Sequence, residues 1–336
     1  SFAQEHAGVE MPYIVPVSTP SYQGSHIDGF HAAVYAVVQQ LAQGGPRNEA
    51  VGLFPGLVSA ADLRWLKTVM QDFGLEVILV PDYSETLDGP AWEAYQKIPE
   101  GGTPVGRIKQ TGRCRAAIQL GYTVKRQQNA ARWLRDEFGT PDYQLGLPVG
   151  IRETDCFLQV LADVSGKPVP ENYRKARGRL VDAYIDGHKY LFGKKAVLYG
   201  EPDLVLALAV FLAELGVIPV LCATGTETGR LTEELARLLP ELVVQVKGVE
   251  GVDFAEIEAE VAELKPDLLV GNSKGYAISR KLGIPLVRAG FPVHDRIGGQ
   301  RLLHLGYEGT QRLFDTVVNE LIAVNQEQSP VGYSYM

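Results

Sequence analysis

The sequence predicts an α/β protein made of tandem Rossmann-like domains, in which parallel β-sheets are flanked by helices. Two stretches carry this prediction, because each contains an apolar strand, a Gly/Pro turn, a helix with an acidic start and a second apolar strand. They are AVGLFPGLVSAADLRWLKTVMQDFGLEVILV from Ala50 and KKAVLYGEPDLVLALAVFLAELGVIPVL from Lys194. A repeated unit favours two domains over one large sheet.

The domain boundaries follow from the positions of these units. At 336 residues the chain is longer than one ordinary core requires. We expect residues 1–45 to be the remnant of an N-terminal domain, 46–150 a Rossmann-like domain, and 151–336 a second one with a C-terminal helix. The chain begins at Ser1 without an initiator Met or a signal peptide, so we expect a fragment trimmed upstream.

The elements of the first half are predicted in chain order. They are a strand at 13–17 (YIVPV), a helix over 28–43, a β-α-β unit over 50–82, a Gly- and Pro-rich loop (ETLDGPAWEAYQKIPEGGTPVG), a helix over 123–138 and a short strand in YQLGLPVGI. The helix of the β-α-β unit is expected over 59–73, because Ser59 and Asp62 have the spacing of a capping box.

The second half begins with helical sequence over 154–191, broken at SGKPVPE. A strand over 195–200, a helix over 202–215 and a strand over 218–222 follow. The 202–215 helix is apolar nearly all round, which predicts burial between a sheet and another layer. The remaining predictions are strands in LVVQVKG, DLLV and PLVR and helices over 253–264, 275–282 and 310–326.

Composition limits the possible partners. Apolar residues make up 46% of the chain, charged residues 21%, and no apolar run is long enough to cross a bilayer, so we expect a globular protein without a membrane partner. The net charge of −8 argues against nucleic acid, which requires clustered cations. The three cysteines, Cys114, Cys156 and Cys222, form no CxxC pair, which favours a reduced, cytoplasmic setting.

Candidate chemistry is sparse in the residues themselves. The turn GEPD follows a strand and opens a helix, where an anion would be favoured, but GxGxxG and GxxxxGK[ST] are absent. We therefore expect Pro202 and Asp203 to start the helix and satisfy its free N–H groups. His26 and His31 are five residues apart, which is poor spacing for a shared metal.

No catalytic residue can be identified from a nucleophile motif or from the cysteines. GxSxG is missing, and Cys156 and Cys222 lie in apolar contexts typical of inert core thiols. Cys114 lies between two arginines in GRCRAA and has the best case for a lowered pKa, although a core position is favoured there too.

Four long segments resemble the component 1 superfamily of nitrogenase. They are STPSYQGSHIDGFHAAV, GGTPVGRIKQTGRCRAAI, the run from SGKPVPENYRK through GVIPV, and GNSKGYAISRKLGIPLVRAGFPVHDRIGGQRLLHLGYEGTQRLFDTVVNELI. Together they span nearly the whole chain in matching order. The resemblance implies a nitrogenase component 1-like fold, nitrogen fixation as the setting, and a heterotetramer of α- and β-type chains with metal clusters between them.

The resemblance also implies which type of chain this is. α-type chains hold an iron–molybdenum-type cofactor by one Cys and one His, and the matching positions here are Thr123 and Gly290. Neither residue is a ligand of that kind, so the chain resembles the β-type. The resemblance implies candidates for cofactor contacts at Asn272, Ser273, Gly290 and Arg296, in loops at the carboxyl-terminal edge of the sheet.

Within the β-type, two functions stay open. TGRCRAAIQLG and HDRIGGQR favour the scaffold subunit (NifN) on which the iron–molybdenum cofactor is assembled. Ser21 matches a Ser that ligates the eight-iron cluster of catalytic β chains, which favours a nitrogenase β subunit relaying electrons. A third alternative is a small-molecule binding module, since tandem Rossmann-like domains with a cleft also describe ligand-binding proteins.

The resemblance implies partners and cofactors as well. We expect an α-type subunit (NifE- or NifD-like) in an α2β2 assembly and an iron-protein reductase. An iron–sulfur cluster is expected at the interface with the partner in the full-length protein. None is expected in the isolated fragment, because the family's cluster-binding cysteines lie upstream of the TPS segment.

Overall fold

The computed structural model describes residues 13–20, 24–97 and 100–331. Two parallel sheets form the framework. The first contains β1 (Ala50–Phe54), β2 (Glu76–Leu79), β3 (Ala116–Leu120) and β4 (Asp142–Leu145), in the order β2-β1-β3-β4. The second contains β5 (Lys195–Tyr199), β6 (Ile218–Thr224), β7 (Lys247–Glu250), β8 (Leu268–Gly271) and β9 (Leu286–Arg288), in the order β7-β6-β5-β8-β9. The predicted α/β class is confirmed.

Helices cover both sheets. Those of the first half are α1 (His26–Leu41), α2 (Ala60–Asp72), α3 (Val105–Ile108) and α4 (Ala130–Phe138). Those of the second half are α5 (Gly150–Ser165), α6 (Glu171–Leu191), α7 (Pro202–Glu214), α8 (Leu231–Leu238), α9 (Phe254–Leu264), α10 (Tyr276–Leu282) and α11 (Gly306–Gln328). Short 3₁₀ turns lie at Lys109–Arg113, Arg126–Gln128, Pro240–Leu242, Ser273–Gly275 and Gly299–Arg301.

Local sequence explains where several helices begin. Ser25 and Asp28 form a capping box at α1, and Asp253 and Glu256 form another at α9. The box predicted at Ser59 also forms, since its hydroxyl accepts from the Asp62 N–H at 2.9 Å. Each box satisfies two N–H groups that would otherwise lack partners, which fixes the first turn of its helix.

One large apolar cluster extends from β1 and β3 of the first sheet to β5 and β8 of the second. Helix α7 lies inside it, with consecutive buried residues from Val205 to Leu212. The burial predicted from its all-round apolar surface is therefore confirmed. Because the cluster is continuous, the two sheets share a core. The division into domains at 45 and 150 stays a prediction.

Several sequence predictions are wrong in detail. Residues 13–17 form no strand in the described part of the chain. Pro16 has no N–H to donate, and its carbonyl accepts from Gln40 Nε2 at 3.0 Å. β3 is a strand that the sequence did not predict. α4 begins at Ala130 instead of 123, where Asn129 caps it, and LVVQVKG is strand only from Lys247.

Among the residues described, no helix is both long enough and apolar enough to cross a lipid bilayer.

Candidate functional site

The chain reverses its direction of winding between β5 and β8. From β5 it proceeds to β6 and β7 on one side, then returns to place β8 on the other side of β5. In open α/β sheets, ligands bind in the crevice outside the carboxyl ends of the strands at such a reversal. A cavity of ≈ 200 Å³ lies there. Its lining combines the N-terminus of α1 with the ends of four strands: Ser25, His26, Tyr199, Gly200, Glu201, Ala223, Thr224, Gly225, Thr226, Val252, Phe254, Ile257, Asn272, Lys274, Phe291 and Pro292.

Tyr199, the last residue of β5, forms the floor of this cavity. Its hydroxyl donates to the carbonyl of Asn272 at 3.0 Å, and its ring meets the edge of Phe254 at a centroid distance of 5.5 Å. The sequence accommodates it with glycines. A Cβ on Gly271 would come within 2.3 Å of the Tyr199 carbonyl oxygen, and one on Gly275 within 1.9 Å of its hydroxyl. The glycines of GNSKG therefore allow β8 and its following turn to approach Tyr199 closely.

Two buried polar side chains in the cavity wall lack protein partners. Asn272 is 8% exposed; its Oδ1 accepts from the Lys274 N–H at 3.1 Å, but its Nδ2 donates to no described residue. Thr226 is 3% exposed, and its hydroxyl bonds to none of the described residues either. Neither atom is fully shielded from solvent, since Arg132 Nε is the one such buried, unpaired side-chain atom among the described residues. Both groups can therefore donate to a molecule in the cavity.

The charges around the cavity are arranged asymmetrically. His26 Nε2 lies 2.7 Å from Glu201 Oε1. The hydrogen bond with Glu201 raises the pKa of His26, while Lys274 opposes that rise. Lys274 is exposed and forms no ion pair within the described part of the chain. The Glu201 carboxylate is thus engaged by His26, and Lys274 adds a positive charge at the cavity mouth.

Among the predicted site residues that the structure describes, only Asn272 lies in the cavity wall. The Ser273 hydroxyl lies behind it, donating to the Pro292 carbonyl at 2.9 Å and accepting from the His294 N–H at 3.1 Å, so it ties the β8 loop to the β9 loop. Gly290 has φ +74°, and a Cβ there would lie 2.5 Å from Leu204 Cδ2. A side chain in this turn would be strained by the positive φ and would have to displace the end of Leu204.

Of the other two predicted site residues, only Arg296 is described, and it does not line the cavity. Arg296 is exposed, and its Nη1 lies 3.5 Å from Asp295 Oδ2. Ser21 lies outside the described residues, so its role as a cluster ligand stays a prediction.

Sequence reasoning missed Glu201, Thr226 and Lys274, and it assessed His26 only as a metal ligand paired with His31. His31 is in fact buried, and burial lowers its pKa to about 4. A signal for the cavity was present, because Glu201 lies in the GEPD turn and Lys274 in GNSKG, both directly after strands.

The prediction for Asp203 needs correction. Pro202 does occupy the first turn of α7, but no side chain caps that helix. The Asp203 carboxylate instead accepts from the backbone N–H of Thr123 at 2.9 Å, on the loop after β3. Burial raises the pKa of Asp203. This residue links the two sheets.

The cysteines are dispersed. Cys114 and Cys222 are fully buried, as predicted for core thiols, and burial raises the pKa of Cys114 to about 12 despite its neighbouring arginines. Cys156 is exposed on α5, so the prediction that it lies in the core is wrong. Among the residues described, no group of three His, Cys, Asp or Glu side chains could hold a metal ion. These side chains do not fit an iron–sulfur cluster, which requires converging thiolates.

Comparison with protein families gives a match along most of the chain. The family model described as nitrogenase component 1 type oxidoreductase matches residues 1–322. The nitrogenase molybdenum–iron protein beta chain of Clostridium pasteurianum is 36% identical over 313 residues, 92% of this chain and 68% of that protein. The nitrogenase iron–molybdenum cofactor biosynthesis protein NifN of Nostoc sp. (strain PCC 7120) is 35% identical over 311 residues, 92% of this chain and 67% of that protein.

A solved structure, Nitrogenase Cp1 at pH 6.5, superposes on this chain with a TM-score of 0.90 at 34% identity. The match covers 95% of this chain and 70% of that one. Relatives of two kinds, beta chains and NifN, thus match at similar identity.

Proposed function

The chain is a β-type member of the nitrogenase component 1 type oxidoreductase family, and from this we propose that it serves, with an α-type partner, on the scaffold on which the iron–molybdenum cofactor is assembled. In this function the chain shapes and shields the site at which its partner holds the cofactor. The cofactor itself supplies the redox chemistry.

The observation that carries the proposal is the turn at Gly290. The resemblance matches this position to the histidine ligand of α-type chains, yet glycine offers no ligating side chain and its φ of +74° would strain any other residue. Thr123, at the position of the cysteine ligand, is 3% exposed and held through its N–H by Asp203. Neither position offers a cofactor ligand in this chain, because both residues belong to the packed framework. This supports a function in which a partner subunit holds the cofactor.

The choice of the scaffold over catalysis rests on the sequence. The segments TGRCRAAIQLG and HDRIGGQR favour it, and NifN relatives at 35% and 32% identity are consistent with it. A second candidate is a catalytic nitrogenase β subunit that relays electrons from an iron-protein reductase. The 36% identity to the beta chain of Clostridium pasteurianum supports that candidate.

A surface for the α-type partner is available beside α1. An apolar groove of ≈ 440 Å³ runs between α1 and the end of β2, lined by Phe30, Ala33, Val34, Val37, Val80, Pro81, Asp82, Tyr83, Thr103 and Ile108. Contiguous apolar grooves on a protein surface commonly mark interfaces. We infer that an α-type subunit, NifE- or NifD-like, covers this groove in an α2β2 assembly.

An iron–sulfur cluster at the interface stays part of the proposal for the full-length protein. The described side chains do not fit such a cluster, since their three cysteines are dispersed and two are buried in apolar surroundings. Its ligands would have to come from the partner or from residues outside those described. The contribution of the described residues is to position the partner and to exclude water.

The test uses the full-length protein purified without oxygen together with the α-type subunit encoded beside it. Transfer of a cofactor to an empty nitrogenase, without substrate reduction when a reductase is supplied, is the expected result. Substrate reduction would instead establish the catalytic candidate. Neither activity, in a complex that assembles correctly, would contradict both.

A further inference from the structure

The cavity at the ends of β5, β6 and β8 carries donors that the proposed function does not use. Asn272 and Thr226 line the cavity, and each residue is more than nine-tenths buried. The Asn272 Nδ2 and the Thr226 hydroxyl donate to no described residue. Neither donor atom is a fully buried, unpaired atom, so both keep contact with solvent through the cavity. Each is therefore free to donate to a ligand that enters it.

The electrostatics favour an anionic ligand. Lys274 Nζ is unpaired within the described residues and lines the cavity mouth. The N-terminus of α7 has no side-chain cap and adjoins the lining at Gly200 and Glu201, so its free N–H groups and dipole add positive potential. The Glu201 carboxylate, the acidic group of the wall nearest these donors, is engaged by His26 at 2.7 Å.

The remaining wall is apolar. Tyr199, Ala223, Val252, Phe254 and Ile257 supply it. At roughly 30 Å³ for each water molecule, a cavity of ≈ 200 Å³ accommodates a small organic acid. A ligand that matches both halves of the wall has one anionic group and a short hydrocarbon chain.

We propose that this cavity binds a small carboxylate, with its anionic group at Asn272, Thr226 and Lys274 and its carbon chain against Tyr199 and Phe254. The Asn272 amide and the Thr226 hydroxyl donate to the carboxylate oxygens. Lys274 supplies the charge. The lining residues named here are all in this chain, so the proposal does not depend on whether the complex is a scaffold or a catalyst.

The test is calorimetric and NMR titration of the full-length chain with butyrate, acetate and inorganic phosphate as probes. Butyrate is expected to bind saturably and more tightly than acetate, because the wall adds apolar contact to the same anionic contacts. Tight phosphate binding without butyrate binding would overturn the assignment to carboxylates. Failure of butyrate and acetate to saturate at concentrations on the order of 10 mM would overturn the site itself.

Variants locate the binding. Asn272→Asp keeps the acceptor for the Lys274 N–H but replaces the unpaired donor with a negative oxygen, so butyrate affinity is expected to fall by more than about tenfold. Thr226→Val is expected to weaken binding about fivefold, the effect of one hydrogen bond. Lys274→Gln, at an exposed position that does not support the fold, is expected to weaken it about tenfold.

The matched control is Arg280→Gln, which removes one positive charge from the exposed surface of α10 outside the cavity lining. It is expected to leave butyrate affinity unchanged. Equal losses for Arg280→Gln and Lys274→Gln would assign the binding to general surface charge and overturn the proposal. Unchanged affinity in both Lys274→Gln and Asn272→Asp would place the probe elsewhere.

Discussion

The Asp203 carboxylate at the start of α7 accepts the backbone N–H of Thr123, 80 residues earlier in the chain, at 2.9 Å. The two residues join the second sheet's central helix to the loop that leaves the first sheet. A Cβ at neighbouring Gly121 would lie 2.4 Å from Asp203 Oδ2, so the loop fits the carboxylate only with glycine there. The relative position of the two sheet edges depends on this contact.

The acceptor at Asp203 is expected to matter more than its charge. Burial raises the pKa of Asp203, so its ionised form costs stability above the ordinary value of 3.8. Asp203→Asn, which keeps an acceptor, should be at least as stable as the wild type at pH 7. Asp203→Leu leaves the Thr123 N–H unpaired and should lose about 1–3 kcal/mol of unfolding free energy. Urea denaturation of both variants checks this. Equal losses would show that the charge is required.

The pKa of Asp62 is shifted in the opposite direction from that of Asp203. Its Oδ1 accepts the N–H groups of His304 and Leu305 at 2.8 and 3.0 Å, which anchors the start of α11 on α2. Burial alone would raise the pKa of Asp62, but hydrogen bonds, chiefly from His304, outweigh it and lower the pKa. The ionised form therefore stabilises the fold above the ordinary value of 3.8, and this contribution is lost as pH falls through the lowered pKa.

Asp62→Asn should consequently reduce the free energy of unfolding by about 1.5–3 kcal/mol at pH 7, the worth of hydrogen bonds to a charged group. The difference from the wild type should shrink in acid. Denaturant titrations at several pH values measure it, with Glu263→Gln, at an exposed position, as the control. A difference that does not change with pH would contradict the role of the ionised carboxylate.

His26 is expected to report the state of the cavity rim. Its pKa is raised by the hydrogen bond with Glu201, so the pair's stabilisation is complete below the ordinary value of 6.5 and is lost as pH rises through the raised pKa. In Glu201→Gln the pKa of His26 should fall towards 6.5. NMR titration of the imidazole measures this directly. Exposed Glu308→Gln should leave the titration unchanged, and an unaltered pKa in Glu201→Gln would disprove the pairing.

The groove beside α1 is expected to control assembly. Ala33→Glu places a charge in the apolar groove while keeping a good helix-forming residue, so it should weaken association with the α-type partner by at least about tenfold. Gln39→Glu, on the exposed side of the same helix, is the matched control. Affinity measurements on co-purified subunits compare the two. Equal affinities would remove the groove from the interface.

The strands and helices with strong local signals were predictable. The capping box at Ser59 and the burial of the apolar helix α7 are both determined by residues close together in the sequence. Both were predicted correctly. β3 was missed because its five residues, AAIQL, contain two alanines and one glutamine and lack the usual β-branched pattern. Pairing with β1 and β4 on both sides stabilises it, and that information is not local.

The candidate site was only partly predictable for the same reason. Asn272 was identified because it follows a strand, which is a local signal. The roles of Asp203 and His26 depend on partners far along the chain, Thr123 and Glu201, and spacing rules apply only within one element. Cys156 was misplaced because α5 exposes one face, and the apolar neighbours of this residue point to the other.

The proposed function requires that this chain pairs, as the β-type subunit, with an α-type subunit. The most direct measurement is the native mass and subunit stoichiometry of the full-length chain co-expressed with its neighbouring α-type subunit, by analytical ultracentrifugation under anaerobic conditions. We expect an α2β2 complex. A chain that sediments alone, or only with copies of itself, while the α-type subunit is folded and present in excess, would contradict it.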